Sequence, residues 1–181
     1  MKYFNTVQRI AIDTSIIQKA KDFATQVTAT TNYADSNQLS TTKITNDHFI
    51  SKIGEEAVKA VFSKYAPIAG PDYTIYHGKE KSWSDDLYVN NIGLAVKTQK
   101  RSMAQRFGLS WTFQSGPARY DVILRKPDAW VVFVAYDDIS GNICYVYPPF
   151  QMKELILGEP VLEKLKGFKK VVYANTLPLR K

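Results

Sequence analysis

The sequence predicts one α/β domain with a central mixed β-sheet flanked by helices. The chain has 181 residues, enough for one compact core. Up to about residue 65 the apolar residues recur at helical spacing, whereas after Gly70-Pro71 they alternate with polar residues as in half-buried strands. The composition, 45% hydrophobic and 23% charged, is ordinary for a globular protein and excludes collagen-like, coiled-coil and wholly disordered classes.

Two helices are predicted in the N-terminal third. Asp13 or Thr14 is a suitable N-cap for a first helix that runs to about Ala24. The Thr/Ser/Asn-rich stretch 27–46 is then expected to form a loop or mobile arm, because short polar side chains compete for backbone hydrogen bonds. Asn46 is the predicted cap of a second helix to about Tyr65, with an apolar face of Ile50, Ile53, Ala57 and Val61.

The rest of the chain predicts mainly strands. Alternating or continuously apolar runs favour strands at residues 73–78, 86–90, 93–99, 109–114, 129–136 and 143–147, and a last one at 169–175. Short helices are expected at residues 101–106, 150–157 and 160–167.

Several classes of protein are excluded. The longest apolar stretch, residues 129–136, is far shorter than the ~20 residues of a membrane-spanning helix, and the N-terminus lacks a secretory signal, so we expect a cytoplasmic protein without a membrane partner. Cys144 is the single cysteine, and His48 and His77 are the two histidines, which leaves too few ligands for structural zinc.

Positive charge is concentrated in one segment. The formal net charge is +7, and residues 97–126 hold seven basic residues against one acid, Asp121. Aromatic residues are interleaved with these charges, a combination that suits phosphate contact and base stacking. The segment therefore predicts nucleic-acid contact, through Lys100, Arg101, Arg106, Trp111, Gln114 and Arg119. The alternative is that the aromatic residues fill the core beneath a solvated charged rim.

The hairpin at residues 82–99 carries the candidate chemistry. If its turn is centred between Asn91 and Ile92, Asp86 lies opposite Lys97. Period-two alternation then places Asp86, Tyr88, Ala95, Lys97 and Gln99 on one face, and Asp85 on the other face with Leu87. A carboxylate is a preferred Mg²⁺ ligand, and a neighbouring lysine can activate water or stabilise phosphate charge. The alternative is an exposed cross-strand ion pair of little energetic value.

These motifs resemble the PD-(D/E)XK nuclease superfamily. Its members have a helix, a three-stranded meander, a second helix and a further strand. The segment Asp86-Leu87-Tyr88-Val89 resembles the acidic motif, and Leu94-Ala95-Val96-Lys97-Thr98 resembles the motif that ends in lysine. The segment Gly54–Phe62 is similar to the helix that supplies a glutamate, which nominates Glu55, with Glu56 as its alternative. The resemblance divides the single domain into an N-terminal helix and arm (1–45), a nuclease-like core (46–136) and a C-terminal extension (137–181).

The resemblance implies a restriction endonuclease-like fold and a Mg²⁺-dependent DNA endonuclease, with Mn²⁺ as a substitute metal. Glu55 and Asp86 would hold one or two metal ions, Lys97 would activate or orient water, and Gln99 would lie beside the metal. DNA is the expected partner with RNA as an alternative, and homodimers are common in nucleases of this fold.

One position departs from the family. The acid expected two residues before Lys97 is replaced by Ala95. Either an active site survives with ligands such as Gln99, Glu55, Asp85 or Glu80, or the fold has lost cleavage and kept nucleic-acid binding.

Overall fold

A computed structural model describes residues 1–30, 40–76 and 85–179. The helices are α1 (Thr14–Thr30), α2 (Thr41–Phe62) and α3 (Arg101–Phe107). The strands are β1 (Gln8–Ala11), β2 (Ile68–Ala69), β3 (Leu87–Val89), β4 (Ile92–Lys100), β5 (Ser110–Gln114), β6 (Trp130–Asp137), β7 (Ile143–Val146), β8 (Phe150–Gln151) and β9 (Lys169–Tyr173).

The central sheet is mixed. Among the described residues its order is β1-β7-β6-β4-β3-β2, and β8 adds to β6. β4 and β6 are parallel, while the other neighbours are antiparallel. β5 and β9 form a separate two-stranded antiparallel sheet. The protein therefore has the predicted α/β class with a mixed central sheet.

Two hydrophobic layers enclose this sheet. One face packs against α1 and α2 through residues such as Ile53, Val61 and Leu94, and the other packs against the β5–β9 sheet through Trp111 and Phe133. β6 is buried over nearly its whole length because it contributes to both layers, which explains its uninterrupted apolar run. No helix in the three described ranges is long and apolar enough to cross a membrane.

The helix boundaries differ from the sequence prediction. α2 begins at Thr41, and its cap is Ser40, whose Oγ accepts a hydrogen bond from the Lys43 backbone N–H. The predicted cap, Asn46, therefore lies inside the helix. α1 continues past Ala24 to Thr30, so both ends of the predicted loop are helical. Residues 31–39 of that loop lie outside the described residues.

Several predicted strands and helices also need correction. Residues 73–76 form no strand, and residues 77–78 of the same prediction lie outside the described ranges. The strand that pairs with β3 is instead β2, and β1 was not predicted at all. The expected helices at 150–157 and 160–167 are reduced to short 3₁₀ turns at Met152–Glu154 and Glu163–Leu165.

The close packing of α2 on β4 positions the site. A Cβ atom at Gly54 would lie 1.8 Å from the Oγ1 atom of Thr98, so only glycine allows the helix to approach the strand this closely. The same approach brings the next helical residue, Glu55, to the edge of β4.

We therefore expect Gly54→Ala to destabilise the protein, although alanine is intrinsically the better helix former. The clash with Thr98 should lower the free energy of unfolding by about 1–3 kcal/mol, measured by urea unfolding. An increase of about 1 kcal/mol in the free energy of unfolding is expected when alanine replaces an unhindered helical glycine. Such an increase in Gly54→Ala would show that α2 does not pack so closely on β4.

Candidate functional site

The β3–β4 hairpin has a tight two-residue turn. Asn90 and Asn91 have φ values of 48° and 62°, and Leu87 lies opposite Leu94. The predicted register was therefore wrong by two residues, and Asp86 does not lie opposite Lys97. An even shift keeps the side chains of the paired strand residues on their predicted faces, so Leu87, Val89, Leu94 and Val96 are buried as expected. Asp85 is an exception: it was predicted on the Leu87 face, but its side chain lies against Gly93, which pairs with Tyr88 on the other face.

In this register no described residue pairs with the second half of β4 on the side of β3, and we call residues 95–100 the open edge of β4. β3 pairs only with residues 92–94, so residues 95–100 have no strand partner on that side among the described residues. The Oδ2 atom of Asp86 accepts a hydrogen bond from the Val96 backbone N–H at 2.7 Å. Asp86, which directly precedes the first residue of β3, thus caps the start of the open edge.

Glu55 approaches the same edge from α2. It is 2% exposed. Ser51 Oγ donates to Glu55 Oε1 at 3.0 Å, and Lys52 Nζ lies 2.6 Å from Oε2. The pKa of Glu55 is raised to about 7, mainly by burial; the charge of Lys52 opposes this increase and the charge of Asp86 adds to it. Glu55 and Asp86 are therefore within electrostatic range of each other.

The carboxylate of Asp86 is also destabilised by its surroundings. Desolvation raises its pKa, while the Val96 N–H and the charges of Lys97 and Lys52 lower it. The site thus contains two carboxylates and two ammonium groups that act on one another. Sequence reasoning missed Lys52, although its spacing of three residues from Glu55 on a helix places the two side chains on one face.

Lys97 bridges the site to the β5–β9 sheet. Its Nζ lies 2.8 Å from Asp121 Oδ2 and 4.9 Å from the centre of the Phe113 ring. The same Asp121 oxygen accepts a hydrogen bond from the Gln114 backbone N–H at 3.1 Å. Lys97 is therefore held between Asp121 and the carboxylate of Asp86, whose pKa it influences.

Two predicted site residues have structural roles instead. The Oε1 atom of Gln99 accepts the Ser110 backbone N–H at 2.8 Å and joins β4 to β5, so this oxygen is not directed at a metal. Trp111 is 2% exposed, stacks on Phe133 and donates from Nε1 to the Val134 carbonyl. Its ring lies in the core and cannot stack on a base. This agrees with the alternative interpretation of the basic segment, in which the aromatic residues fill the core.

The alternative carboxylates have other contacts, although the charge of Asp85 also raises the pKa of Asp86. Glu56 is buried, and its Oε1 accepts a hydrogen bond from Tyr73 Oη at 3.0 Å. The Asp85 side chain lies against Gly93, where an added Cβ would be 1.8 Å from Oδ2. Glu80 is outside the described residues. Within the described ranges, no group of three or more His, Cys, Asp or Glu side chains is placed to hold a metal ion.

The predicted basic surface is partly neutralised. Arg101 pairs with the buried Asp137 at 2.8 Å, and Lys100 lies 3.9 Å from Asp138. Arg106 is exposed, whereas Gln114 and Arg119 are half-buried. The predicted surface therefore has less free positive charge than the sequence indicates, because Lys100 and Arg101 lie beside carboxylates.

Comparison with family models, with curated proteins and with solved structures finds no match to this chain. The class is accordingly defined by the structure alone: an α/β protein with a mixed central sheet, in which Glu55 and Asp86 lie within electrostatic range of each other beside the edge of β4.

Ionisation of Glu55 should destabilise the folded protein as the pH rises. Its pKa is raised from 4.5 to about 7, so the folded state binds this proton more tightly than the unfolded state. The free energy of unfolding should therefore fall between about pH 5 and about pH 8, by on the order of 3 kcal/mol.

Urea unfolding of Glu55→Gln should lack this decrease, because glutamine does not ionise. The exposed Glu159 offers a control, since Glu159→Gln should keep the pH dependence of the wild type. An equal decrease in Glu55→Gln would assign the effect to another group.

Proposed function

We propose that this protein is a metal-dependent nuclease of the PD-(D/E)XK type that hydrolyses phosphodiester bonds in DNA. The observation that carries the proposal is the convergence of Glu55 and Asp86, from a helix and a strand distant in sequence, beside Lys97. The order of α2, β2, β3, β4, α3 and β6 also agrees with the helix, meander, helix and strand that the resemblance implies. Both features support the same function.

The donor set fits a hard divalent cation. Two carboxylates with raised pKa values share a poorly solvated space, so a cation between them would offset the cost of their burial. Glu55 and Asp86 would hold the ion, and water or substrate oxygens would fill its remaining positions. Such an ion supplies Lewis acidity toward a phosphoryl oxygen and lowers the pKa of bound water.

The lysines complete the proposed site in different ways. Lys52 already balances Glu55 at 2.6 Å, so it neutralises this carboxylate when no other cation is near. The Lys97 ammonium is partly exposed and lies at the mouth of the site, where it can stabilise negative charge that develops on phosphate as water attacks the phosphorus and the ester bond breaks. Asp121 holds this ammonium in position.

A binding protein on the same fold is the second candidate. Ala95 removes one carboxylate, and Gln99, the nearest substitute on that face, is bonded to Ser110. Under this alternative the protein binds nucleic acid with strong salt dependence and cuts no substrate.

Mg²⁺ should stabilise the wild-type protein at about pH 8, where Glu55 is largely ionised. At about 100 times its dissociation constant, a ligand of the folded state contributes about 2.7 kcal/mol, which corresponds to a Tm increase of several degrees. Thermal unfolding should show this increase in the wild type and in Asp128→Asn, an exposed acid paired with Lys153. Asp86→Asn should lack it, and an equal increase in this variant would place the metal elsewhere.

Cleavage should depend on the same residues. Purified protein with Mg²⁺ is expected to cut plasmid, single-stranded or branched DNA, and EDTA should stop the reaction. Glu55→Gln, Asp86→Asn and Lys97→Met should each reduce the rate by at least about 100-fold, since the first two weaken the binding of the metal ion and the third removes the positive charge that stabilises the phosphate. Asp128→Asn should cut like the wild type. Binding without cleavage of any DNA or RNA substrate would favour the second candidate.

A further inference from the structure

A cavity of about 500 Å³ is lined by α1 and by residues 73–75, which follow β2 along the chain. Its apolar wall consists of Phe23, Tyr73 and Ile75. The centres of the Phe23 and Tyr73 rings are 5.3 Å apart, and the ring planes lie at 85° to each other. A flat aromatic group that enters this corner can stack on one ring and meet the other edge to face, the two arrangements that aromatic pairs prefer.

The Tyr73 ring is held in place by its neighbours. Its Oη donates a hydrogen bond to Glu56 Oε1 at 3.0 Å, and the Lys19 ammonium lies over the ring, 3.9 Å from its centre. Lys19 is exposed on α1, so a flat group that stacks on Tyr73 can displace this ammonium into solvent. The exchange is favourable because stacking of a base on an aromatic ring is stronger than a cation–π contact at an exposed site.

Lys52 connects this cavity with the buried carboxylate of Glu55. The Nζ atom of Lys52 lies 5.0 Å from the centre of the Phe23 ring and 5.4 Å from the centre of the Tyr73 ring. The same atom lies 2.6 Å from Glu55 Oε2. One ammonium group therefore contacts both the aromatic corner of the cavity and the proposed metal site.

The charges in the lining favour an uncharged ring over a phosphate. Among the described residues the lining contains one cation, Lys19, and one anion, Asp22, so it has no excess positive charge to attract a phosphate. Gln18, Asp22 and Gln26 follow one another at a spacing of four residues on α1 and therefore lie on one face of the helix. Gln18 Nε2 donates to Asp22 Oδ1 at 2.8 Å. Amide and carboxylate groups of this kind can read the hydrogen-bonding edge of a base.

We propose that this cavity binds one unpaired base of a nucleic-acid strand, stacked on Tyr73 beside the edge of the Phe23 ring. The phosphates of the strand would lie outside the cavity, toward Glu55. The inference rests on the proposed nucleic-acid function and holds for a nuclease and for a binding protein alike. It narrows the substrate to a strand with an unpaired base near the site, because a base within a continuous duplex must first leave its stack.

Binding in EDTA of a single-stranded DNA pentamer and of an abasic pentamer of equal charge tests the cavity without requiring catalysis. The wild-type protein should bind the normal pentamer at least about 5-fold more tightly, which is the smaller end of the contribution of one stacked base. Tyr73→Leu should lose most of this difference, and Tyr73→Phe, which keeps the ring, should restore it. Tyr65→Leu, a matched change at an exposed tyrosine beyond the end of α2, should leave the difference intact.

Two outcomes of this comparison would overturn the proposal. One is a Tyr73→Leu variant that retains the full difference between the pentamers. The other is a similar loss of affinity for both pentamers, since such a loss does not depend on a base.

Photocrosslinking of the wild-type protein gives a second readout that needs no variant. A pentamer that carries 5-iodouracil in place of thymine forms a covalent adduct under ultraviolet light with an aromatic ring on which the base stacks. Mass spectrometry should locate this adduct on Tyr73 or Phe23. Adducts confined to other residues would refute the site.

A free nucleoside monophosphate distinguishes a strand from a small ligand. It should displace the labelled pentamer only at a concentration at least about 10-fold above that of unlabelled pentamer, because it lacks the additional contacts of a linked strand. Displacement at equal concentrations would assign the cavity to a free nucleotide and overturn the assignment to a strand.

The same assays separate this inference from the proposed catalysis. A base preference that depends on Tyr73, without cleavage by any form of the protein, would keep the cavity as a base site and reject the nuclease. Metal-dependent cleavage without such a preference would keep the nuclease and reject the base site. Absence of pentamer binding even at low salt would reject the base site.

Discussion

The difference in length between β3 and β4 is the constraint on which the site depends. β3 has three residues and β4 has nine, so the second half of β4 extends past its neighbour. A strand edge with unpaired N–H groups needs other partners, and here the Asp86 carboxylate takes the Val96 N–H. The open edge is thus capped by an acidic side chain, and the space beside it lies between α2 and the β5–β9 sheet.

Close helix packing adds the second carboxylate. Gly54 lets α2 approach Thr98, and the adjacent Glu55 is then 2% exposed beside Asp86. Burial of two carboxylates in one place is costly unless cations compensate for it, and Lys52 and Lys97 supply that compensation within the chain. Buried carboxylates with raised pKa values are enriched at functional sites, where such shifts suit the chemistry.

The charge pattern of the sequence overstates the basic surface beside the site. Lys97 acts on Asp86 but is itself paired with Asp121. Arg101 belongs to the basic segment of the sequence, but its charge is paired with the buried Asp137. The contribution of each cation thus follows from its partners, and sequence position alone does not determine it.

The sequence by itself determined the elements with strong periodicity and the faces of the hairpin. The apolar run of β6, the alternation in β4 and the helical spacing of α2 reflect burial, which acts on each residue locally. The predicted faces of the residues in β3 and β4 were correct although the predicted register of the hairpin was wrong, because a shift of two residues preserves alternation. Glu55, Asp86 and Lys97 could be nominated from such patterns together with the family resemblance.

Only the tertiary structure decided which of these groups meet. The turn at Asn90 and Asn91 requires positive φ at both residues, and the resulting register set the open edge. Trp111 was assigned to nucleic-acid contact from the interleaving of aromatic and basic residues, and Gln99 to the metal site from alternation. In the structure Trp111 packs in the core and Gln99 bonds to Ser110 of β5. Contacts between distant segments arise from the shared burial of their elements, and that information is absent from any single stretch of sequence.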